Sequence, residues 1–455
     1  MDLSVVILSA GQGKRMRSEL PKVLQLLAGR PLLAHVLDVA KELSPRAIHV
    51  VYGHGGDRVR EEFANRDVSW VLQAEQLGTA HAVRQAMPSI DPDDLVLMLY
   101  GDVPLATAGT LRALVDAAAP GGLALLTARL SDPTGCGRII RDGAGEVAAI
   151  VEEGDADQEQ RRIREINTGL MACQAGTLAG WLERVDAKNA QREFYLTDVV
   201  ACAVADGAPV TALTVDAADE VLGINDRRQL AEAERIYRAR VSDELLDHGV
   251  TLADPHRIDV RGSLSCGRDV FIDINVVFEG EVRLGDGVRV GPNTVIRDCE
   301  IGAGSTIHPS CVLESSSIGK GCEVGPFARL RPQAELADTA KVGNFVEIKK
   351  SQIGPGSKVN HLTYIGDTTI GERVNVGAGT ITCNYDGANK HRTIIGDGAF
   401  IGSGVELVAP VEIGAGATIG AGSTISKFAP PGELMLERSK QVVVRGWKRP
   451  VKKSE

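Results

Sequence analysis

The chain has 455 residues, 44% of them hydrophobic, a formal net charge of −10 and eight cysteines. That length exceeds one ordinary core and points to roughly three units, while the acidic balance argues against a nucleic-acid binder, for which a basic face is expected. No apolar run reaches the roughly 18 residues of a membrane span, the first apolar stretch, Val5-Val6-Ile7-Leu8, is too short for a signal peptide, and a cytoplasmic location is expected.

Before residue 226, short apolar runs alternate with helical stretches. Candidate strands cover 3–8, 47–52, 95–100, 123–130 and 210–215, with helical segments such as 24–43 and 110–119 between them. Continuous apolar strands with intervening helices indicate a mainly parallel sheet covered on both faces. Residues 1–225 are therefore expected to form an α/β unit of nucleotide-binding type. Residues 226–249 place Leu230, Ile236, Tyr237, Val241 and Leu245 at helical spacing, with Asp226 to cap the start and Gly249 to end it, and read as a linker helix.

From Val260 to Ile425 an aliphatic residue recurs every six positions, as in Ile272, Phe278, Leu284, Val290 and Ile296. Neither a helix nor an alternating strand has that period. Each unit is a short strand plus a turn, and stacked units predict a hexapeptide-repeat parallel β-helix within residues 250–455. Five-residue steps such as Ile296 to Ile301 and Ile348 to Ile353 read as single-residue deletions at a corner. Glycines after the aliphatic residue, as in Ile401-Gly402, Ile413-Gly414 and Ile419-Gly420, read as turn positions where positive φ costs little. Cys136, Cys173, Cys202, Cys266, Cys299, Cys311, Cys322 and Cys383 include no Cys-x-x-Cys pair and read as small buried hydrophobes. Beyond Pro430-Pro431-Gly432 the tail turns basic, with Lys440, Arg445, Lys448, Arg449, Lys452 and Lys453, a pattern expected of a solvated end.

Two regions carry chemistry. After the first strand comes Ser9-Ala10-Gly11-Gln12-Gly13-Lys14-Arg15-Met16, with Pro21-Lys22 close behind. Backbone N–H groups of such a loop approach a polyphosphate, whose charge Arg15 and Lys22 would neutralise. It is neither a Walker A loop nor G-x-G-x-x-G, since Met16 stands at the third glycine. The segment 73–80 supplies amide and hydroxyl groups suited to a base edge, and Asp102 follows an apolar strand, the usual edge of a site in an open α/β sheet and a suitable Mg²⁺ ligand. In the repeat region the rhythm breaks once, over residues 382–392, a polar insertion of about eleven residues. Loops that interrupt a solenoid often carry its function. Arg331, Lys349, His361, Tyr364 and Asn375 stand near it in sequence. Acyl transfer to an amine needs a base and an oxyanion donor, and His361 is the candidate base.

Together with Gly137-Arg138-Ile139, Glu165-Ile166-Asn167-Thr168-Gly169, Phe194-Tyr195-Leu196-Thr197-Asp198 and Gly223-Ile224-Asn225, these segments occur in the order seen in sugar-nucleotide pyrophosphorylases. With the hexapeptide repeat behind them, the chain resembles the bacterial bifunctional N-acetylglucosamine-1-phosphate uridylyltransferases/glucosamine-1-phosphate N-acetyltransferases over essentially its whole length. The resemblance implies a Rossmann-like nucleotidyltransferase domain, a linker helix and a left-handed parallel β-helix, assembled as a homotrimer. Its implied substrates are UTP, acetyl-CoA and amino-sugar phosphates, its metal is Mg²⁺, and its product feeds peptidoglycan and lipopolysaccharide precursors.

By the same resemblance Leu8, Ala10, Gly11, Gln73, Gly78, Thr79, Tyr100 and Gly101 would bind the uridine nucleotide. Arg15 and Lys22 would stabilise the phosphates, Asp102 and Asn225 would hold Mg²⁺, and Gly137, Glu152, Asn167 and Thr168 would contact the amino sugar. His361 would be the general base, with Asn384 nearby. Arg331, Lys349, Tyr364 and Asn375 would hold glucosamine 1-phosphate, and Ala378, Asn384, Tyr385, Ser403, Ala421 and Arg438 would line the acetyl-CoA site, with the basic tail reaching an adjacent subunit. Two positions depart from the family pattern: Ser9 stands where alanine is frequent and Lys14 where threonine is. Two other readings compete. A zinc lyase would need histidine ligands, and His308, His361 and His391 include no close pair. A nucleotidyltransferase whose β-helix serves only assembly would not need the polar insertion.

Overall fold

The computed structural model describes residues 1–11, 13–53 and 55–452; Gln12 of the opening loop and Lys453 of the tail lie outside them. The chain divides into two compact units, residues 1–237 and 238–455. The division falls within one helix, Arg227–Asp247. Asp226 caps that helix by accepting from the N–H groups of Arg228 and Gln229, both at 2.9 Å, and Gly249 closes it at φ +85.

The first unit is built on nine strands: β1 (Leu3–Leu8), β2 (Ala47–Tyr52), β3 (Ser69–Leu72), β4 (Leu95–Tyr100), β5 (Leu123–Arg129), β6 (Arg138–Arg141), β7 (Val147–Val151), β8 (Glu165–Gln174) and β9 (Val210–Thr214). Their order is β9-β5-β8-β4-β1-β2-β3, with β6 pairing β8 and β7 pairing β6. The sheet is parallel except at β8, which runs antiparallel to β4 and β5, and at the β6–β7 ribbon. The strands β1 and β4 are apolar throughout because both faces are covered. Val6, Val96 and Met98 pack with residues of the helices Thr79–Ala86, Ala175–Arg184 and Asp198–Ala205. Val5, Ile7, Leu97 and Leu99 pack with those of Leu32–Glu42 and Ala108–Asp116. Strand order reverses at β1, which lies between β4 and β2, and such a switch point opens a crevice at the carboxyl ends of the strands.

The segment 24–43 is helical only from Leu32. Leu26–Leu27 and Arg30–Pro31 pair as a hairpin instead, because Ala28 (φ 49) and Gly29 (φ 75) form a two-residue left-handed turn and Pro31 sets the helix boundary. The strands β3, β6, β7 and β8 have no counterpart in the sequence reading. β3 is half-exposed, β6 opens on Arg138, β8 carries Glu165 and Asn167, and β7 is only the five-residue run Val147–Val151.

The second unit is a parallel β-helix. One ladder of eleven short strands and a second path of seventeen run the length of the coil. Successive coils lie 17 or 18 residues apart: Ile258 pairs with Val276, Val290 with Ile307 and Val342 with Val359. The aliphatic residue of nearly every hexapeptide lies in one continuous core from Ile272 to Ile425, whereas Val260 and Cys266 at the open first coil are only partly buried. Of the cysteines, Cys173, Cys299, Cys311 and Cys322 are buried, and Cys136, Cys202, Cys266 and Cys383 are half-buried; all eight are free thiols. Each five-residue step carries a left-handed residue two positions past the core residue, namely Asp298, Ser315, Lys350 and Asp367. A tighter corner is reached by bending the backbone.

The glycines beside the core residues serve a different purpose from the one read in sequence. Gly402, Gly414 and Gly420 are not at positive φ; that conformation belongs to Gly404, Gly416 and Gly422, two residues later. A Cβ on Gly402 would lie 2.5 Å from the Ala421 backbone nitrogen, and one on Gly414 2.6 Å from that of Pro431. These glycines permit close approach of consecutive coils. We therefore expect Gly402→Ala to destabilise the β-helix by about 2–3 kcal/mol through overpacking, and Gly404→Ala, which meets nothing within 4 Å, by only about 1 kcal/mol through its left-handed backbone. Denaturant unfolding of the two variants measures the difference.

Candidate active sites

The crevice at the end of β1 and β4 has a volume of about 620 Å³, lined by Leu8, Ala10, Gly11, Arg15, Lys22, Gln73, Gly78, Thr79, Tyr100, Asp102 and Asn225 among others. The structure thus brings together residues separated by more than two hundred positions. The opening loop is shaped at Gly13, which is left-handed (φ +62) and whose Cβ would meet Lys22 Cβ at 2.7 Å. Lys22 Nζ donates to Asp102 Oδ2 and, at 3.1 Å, to Asn225 Oδ1. The ammonium thus sits between the two oxygens assigned to the metal rather than pointing at open phosphate space. Asp102 and Asn225 are themselves tied, since Ile224 N–H donates to the Asp102 carbonyl at 2.9 Å. Two hard oxygens already converging on one cation fit Mg²⁺, which takes its remaining ligands from phosphate and water.

The segment 73–80 is held by the segment 194–198. Gly78 (φ +118) lies against the Phe194 backbone; Phe194 N–H donates to Leu77 O at 2.8 Å, Ala80 N–H to Phe194 O at 2.9 Å, and Leu196 N–H to Thr79 Oγ1 at 2.9 Å. Gln73 is buried, its Nε2 donating to Gly78 O at 3.0 Å. Gly169 (φ +84) leaves space for the Tyr100 ring, which a Cβ would approach to 2.5 Å. Burial, followed by the carboxylates of Glu152 and Asp102, pushes the Tyr100 hydroxyl well above its ordinary range, so the phenol stays protonated.

The four residues assigned to the amino sugar do not line this crevice. Gly137 and Glu152 are adjacent, with a Gly137 Cβ 3.3 Å from both carboxylate oxygens. Asn167 N–H donates to Gly137 O at 2.8 Å, and Thr197 Oγ1 donates to Glu152 Oε1 at 3.2 Å. Burial, and then the nearby Asp198 and Asp155, raise the Glu152 carboxyl above the usual range, with Thr197 opposing. The Thr168 hydroxyl donates to Leu126 O at 2.8 Å and accepts from Leu170 N–H, a structural use. Gly101 also stands outside the lining: its missing Cβ makes room for the Ser9 hydroxyl. Gln76, from the segment 73–80, also lines the crevice, and Glu193 does so without having been assigned in the sequence.

In the β-helix, register arranges the assigned residues in columns. Arg331 and Lys349 each follow a core residue of stacked coils, Leu330 and Ile348, and Arg331 Nη1 donates to Glu347 Oε1 at 2.8 Å. Lys390, from the insertion, crowds Lys349 and, with Arg331, lowers the Lys349 ammonium below its usual range. Sequence spacing gave no sign of this third cation. Gly366 brings the site together: a Cβ there would lie 2.5 Å from the Tyr364 hydroxyl and 2.6 Å from Asn384 Nδ2. Asn384 is buried, and its Nδ2 donates to Asp367 Oδ2 at 2.6 Å.

A second column contains His361 and the acetyl-CoA candidates. His361, Ala378, Ser403 and Ala421 each stand two residues past a core position, and those positions, Val359, Val376, Ile401 and Ile419, are in register. The column therefore runs about 14 Å along the β-helix at one strand spacing per coil. Its members above His361 are small, which leaves a track along the surface. Arg438 closes the far end, its Nη2 being 2.9 Å from a Cβ built on Gly420. Asn375 lies on the same ladder, paired with Lys358 and Phe400.

The insertion is smaller than its irregular length suggests. Val376 pairs with Ile401 and Ile370 with Ile395, each 25 residues on, so it adds seven or eight residues to a normal coil. It folds as a hairpin with a Tyr385–Lys390 bridge. Asp386 accepts from Ala388 and Asn389 N–H groups and from His391 Nε2 at 2.6 Å. Tyr385 is exposed, its hydroxyl donating to Gly387 O at 2.6 Å.

Comparison with known proteins agrees with this two-part arrangement. The MobA-like NTP transferase domain family matches residues 5–166, and the bacterial transferase hexapeptide family matches residues 265–298 and 392–427. A protein named bifunctional protein GlmU from Azoarcus sp. strain BH72 is 56% identical over 450 residues, 99% of this chain and 100% of its own. Proteins of the same name from Ralstonia pickettii strain 12J and Nitrosospira multiformis are 55% and 54% identical, covering 100% and 99% of this chain and 100% and 98% of theirs. The chain belongs to the GlmU family. Its β-helix is accordingly the left-handed hexapeptide type.

Within this GlmU-family chain Ser9 is an oddity. Its hydroxyl is buried and has no hydrogen-bond partner among the described residues. An unpartnered buried hydroxyl costs free energy with no return. Ser9→Ala is expected to stabilise the first unit by about 1 kcal/mol and to leave uridylyl transfer unchanged; thermal unfolding with a coupled pyrophosphate assay checks both.

Proposed function

We propose that this GlmU-family chain makes UDP-N-acetylglucosamine in two steps on two units. The second unit N-acetylates glucosamine 1-phosphate from acetyl-CoA, and the first transfers uridylyl from UTP to the product with release of pyrophosphate. The observation that carries this reading is the pairing, in one full-length relative of GlmU proteins, of a strand-end crevice with a polar column on a β-helix.

In the uridylyl step a phosphate oxygen of the sugar attacks the α-phosphorus of UTP in line, and the bond to the β-phosphate oxygen breaks. No covalent enzyme intermediate is needed, so positioning and charge neutralisation suffice. Gln73, Gly78 and Thr79 orient the base, Arg15 meets the phosphates, and Glu152, which acts on the crevice-lining Tyr100 although it is not itself in the lining, would with Asn167 contact the amino sugar. Asp102 and Asn225 would hold Mg²⁺, which neutralises developing charge on the phosphates when bound. Lys22 stands at the same oxygens and would move to the phosphates when the metal takes its place.

In the acetyl step His361 takes a proton from the glucosamine nitrogen, that nitrogen bonds to the thioester carbonyl carbon, and the C–S bond breaks to release CoA. Arg331, Lys349 and Lys390 present three cations to the sugar phosphate, and Tyr364 and Asn375 position the ring. The column of Ala378, Ser403 and Ala421 leading to Arg438 accommodates the acetyl-CoA chain, with Asn384 and Tyr385 beside it.

A homotrimer is supported by an exposed ridge next to His361. Phe327, Phe345 and Leu362 occupy one corner of three consecutive coils and are 51%, 56% and 62% exposed, and the two rings stack with centroids 5.2 Å apart. Apolar surface of this kind suits a second copy of the chain. No helix among the described residues is long and apolar enough to cross a membrane, and we place the enzyme in the cytoplasm.

Assays of both half-reactions test the division. Asp102→Ala should abolish uridylyl transfer and spare acetyl transfer, and His361→Ala should do the reverse. Failure of the wild type to acetylate glucosamine 1-phosphate would overturn the bifunctional reading. EDTA should stop the uridylyl step alone; equal inhibition of both would remove the metal from Asp102 and Asn225.

A further inference from the structure

We infer that Asn344 is a positioning residue for the acetyl step, holding His361 in the one tautomer that can act as a base toward the substrate amine. The inference rests on the proposed role of His361. Asn344 and His361 are register partners on adjacent coils, and Asn344 Oδ1 lies 2.8 Å from His361 Nδ1. With Oδ1 facing the ring, the contact is a hydrogen bond only in the tautomer that carries its proton on Nδ1. The lone pair is then on Nε2, at the outer edge of the ring, where a substrate can reach it. Without an acceptor at Nδ1 the imidazole would divide between two tautomers and rotate about its side chain, as an exposed histidine does.

The column explains why Asn344 has this task alone. On the other side of His361 the in-register residue is Ala378, which has no polar atom to offer. The His361 carbonyl is used by Thr363 Oγ1 at 2.7 Å and by Gly379 N–H, so the backbone is fixed while the ring depends on Asn344. The charged residues of the packed strands are Lys341 and Lys358, each three positions earlier. Lys341 is paired with Glu323 at 2.7 Å. Neither strand places a carboxylate in register with the imidazole, so a neutral amide orients it.

Three variants of the full chain, assayed for both half-reactions, test the inference. Asn344→Leu keeps volume and removes the acceptor; Asn344→Ala removes both; Asn344→Asp keeps the acceptor and adds charge. The first two should lower kcat for acetyl transfer by about tenfold or more, with KM for glucosamine 1-phosphate within about twofold and uridylyl transfer unchanged. Asn344→Asp should retain activity at high pH, with the acid limb of its kcat/KM profile displaced upward by about one pH unit, since a carboxylate favours the protonated ring. If His361→Ala is inactive while Asn344→Leu and Asn344→Ala keep wild-type kcat and pH profile, the positioning role is wrong and the base assignment survives. If His361→Ala retains acetyl transfer, the base assignment itself has failed.

Discussion

The parallel ladder of the β-helix is the constraint on which the acetyl-transfer half depends. Every coil repeats the phase of the one below, so residues at one phase of the hexapeptide form a column. A core residue locks each coil in register, and a slip by one residue would expose the aliphatic column and bury its polar neighbours. The polar chemistry is therefore addressed by phase: residues one position past the core form the Arg331 and Lys349 pair, and residues two positions past it form the His361 column. Distant residues become neighbours without any special long-range contact.

The first unit solves a comparable problem by a different route. Its crevice collects groups from strand ends at the switch point of a sheet, and the loops that carry them are secured by backbone hydrogen bonds between sequence motifs. Gly78 and Gly169 matter because they let the Phe194 backbone and the Tyr100 ring come close. In both units glycine acts at the site by what its missing Cβ leaves room for. Gly366 does the same between Tyr364 and Asn384.

Electrostatics divide the two sites. Around Asp102 one ammonium and two oxygens are mutually satisfied, which stores the charge balance that a metal and a triphosphate would rearrange. Around Lys349 three cations crowd together, a cost that an anionic ligand relieves. Glu152, raised by burial and by its acidic neighbours, is adjusted by its surroundings rather than by a single partner.

Much of this was legible in the chain itself. A six-residue period has one stable solution, because no other element buries an aliphatic residue at that spacing, and motif order pointed to the crevice residues. The cap at Asp226 and the five-residue corners followed from local chemistry. What the sequence left undecided depended on neighbours in space. The glycines beside the core were assigned to turns, and only the packed coils reveal that they are there for contact. The insertion counted eleven irregular residues, and only pairing across it reduces that to seven or eight. Asn344 and Asp367 had no motif to mark them, and Lys390 stood in the marked insertion without a role of its own, since each acts on a residue of another coil or loop. Periodicity is a property of one chain segment and can be read along it, whereas a hydrogen bond between coils exists only once register has set which residues face each other.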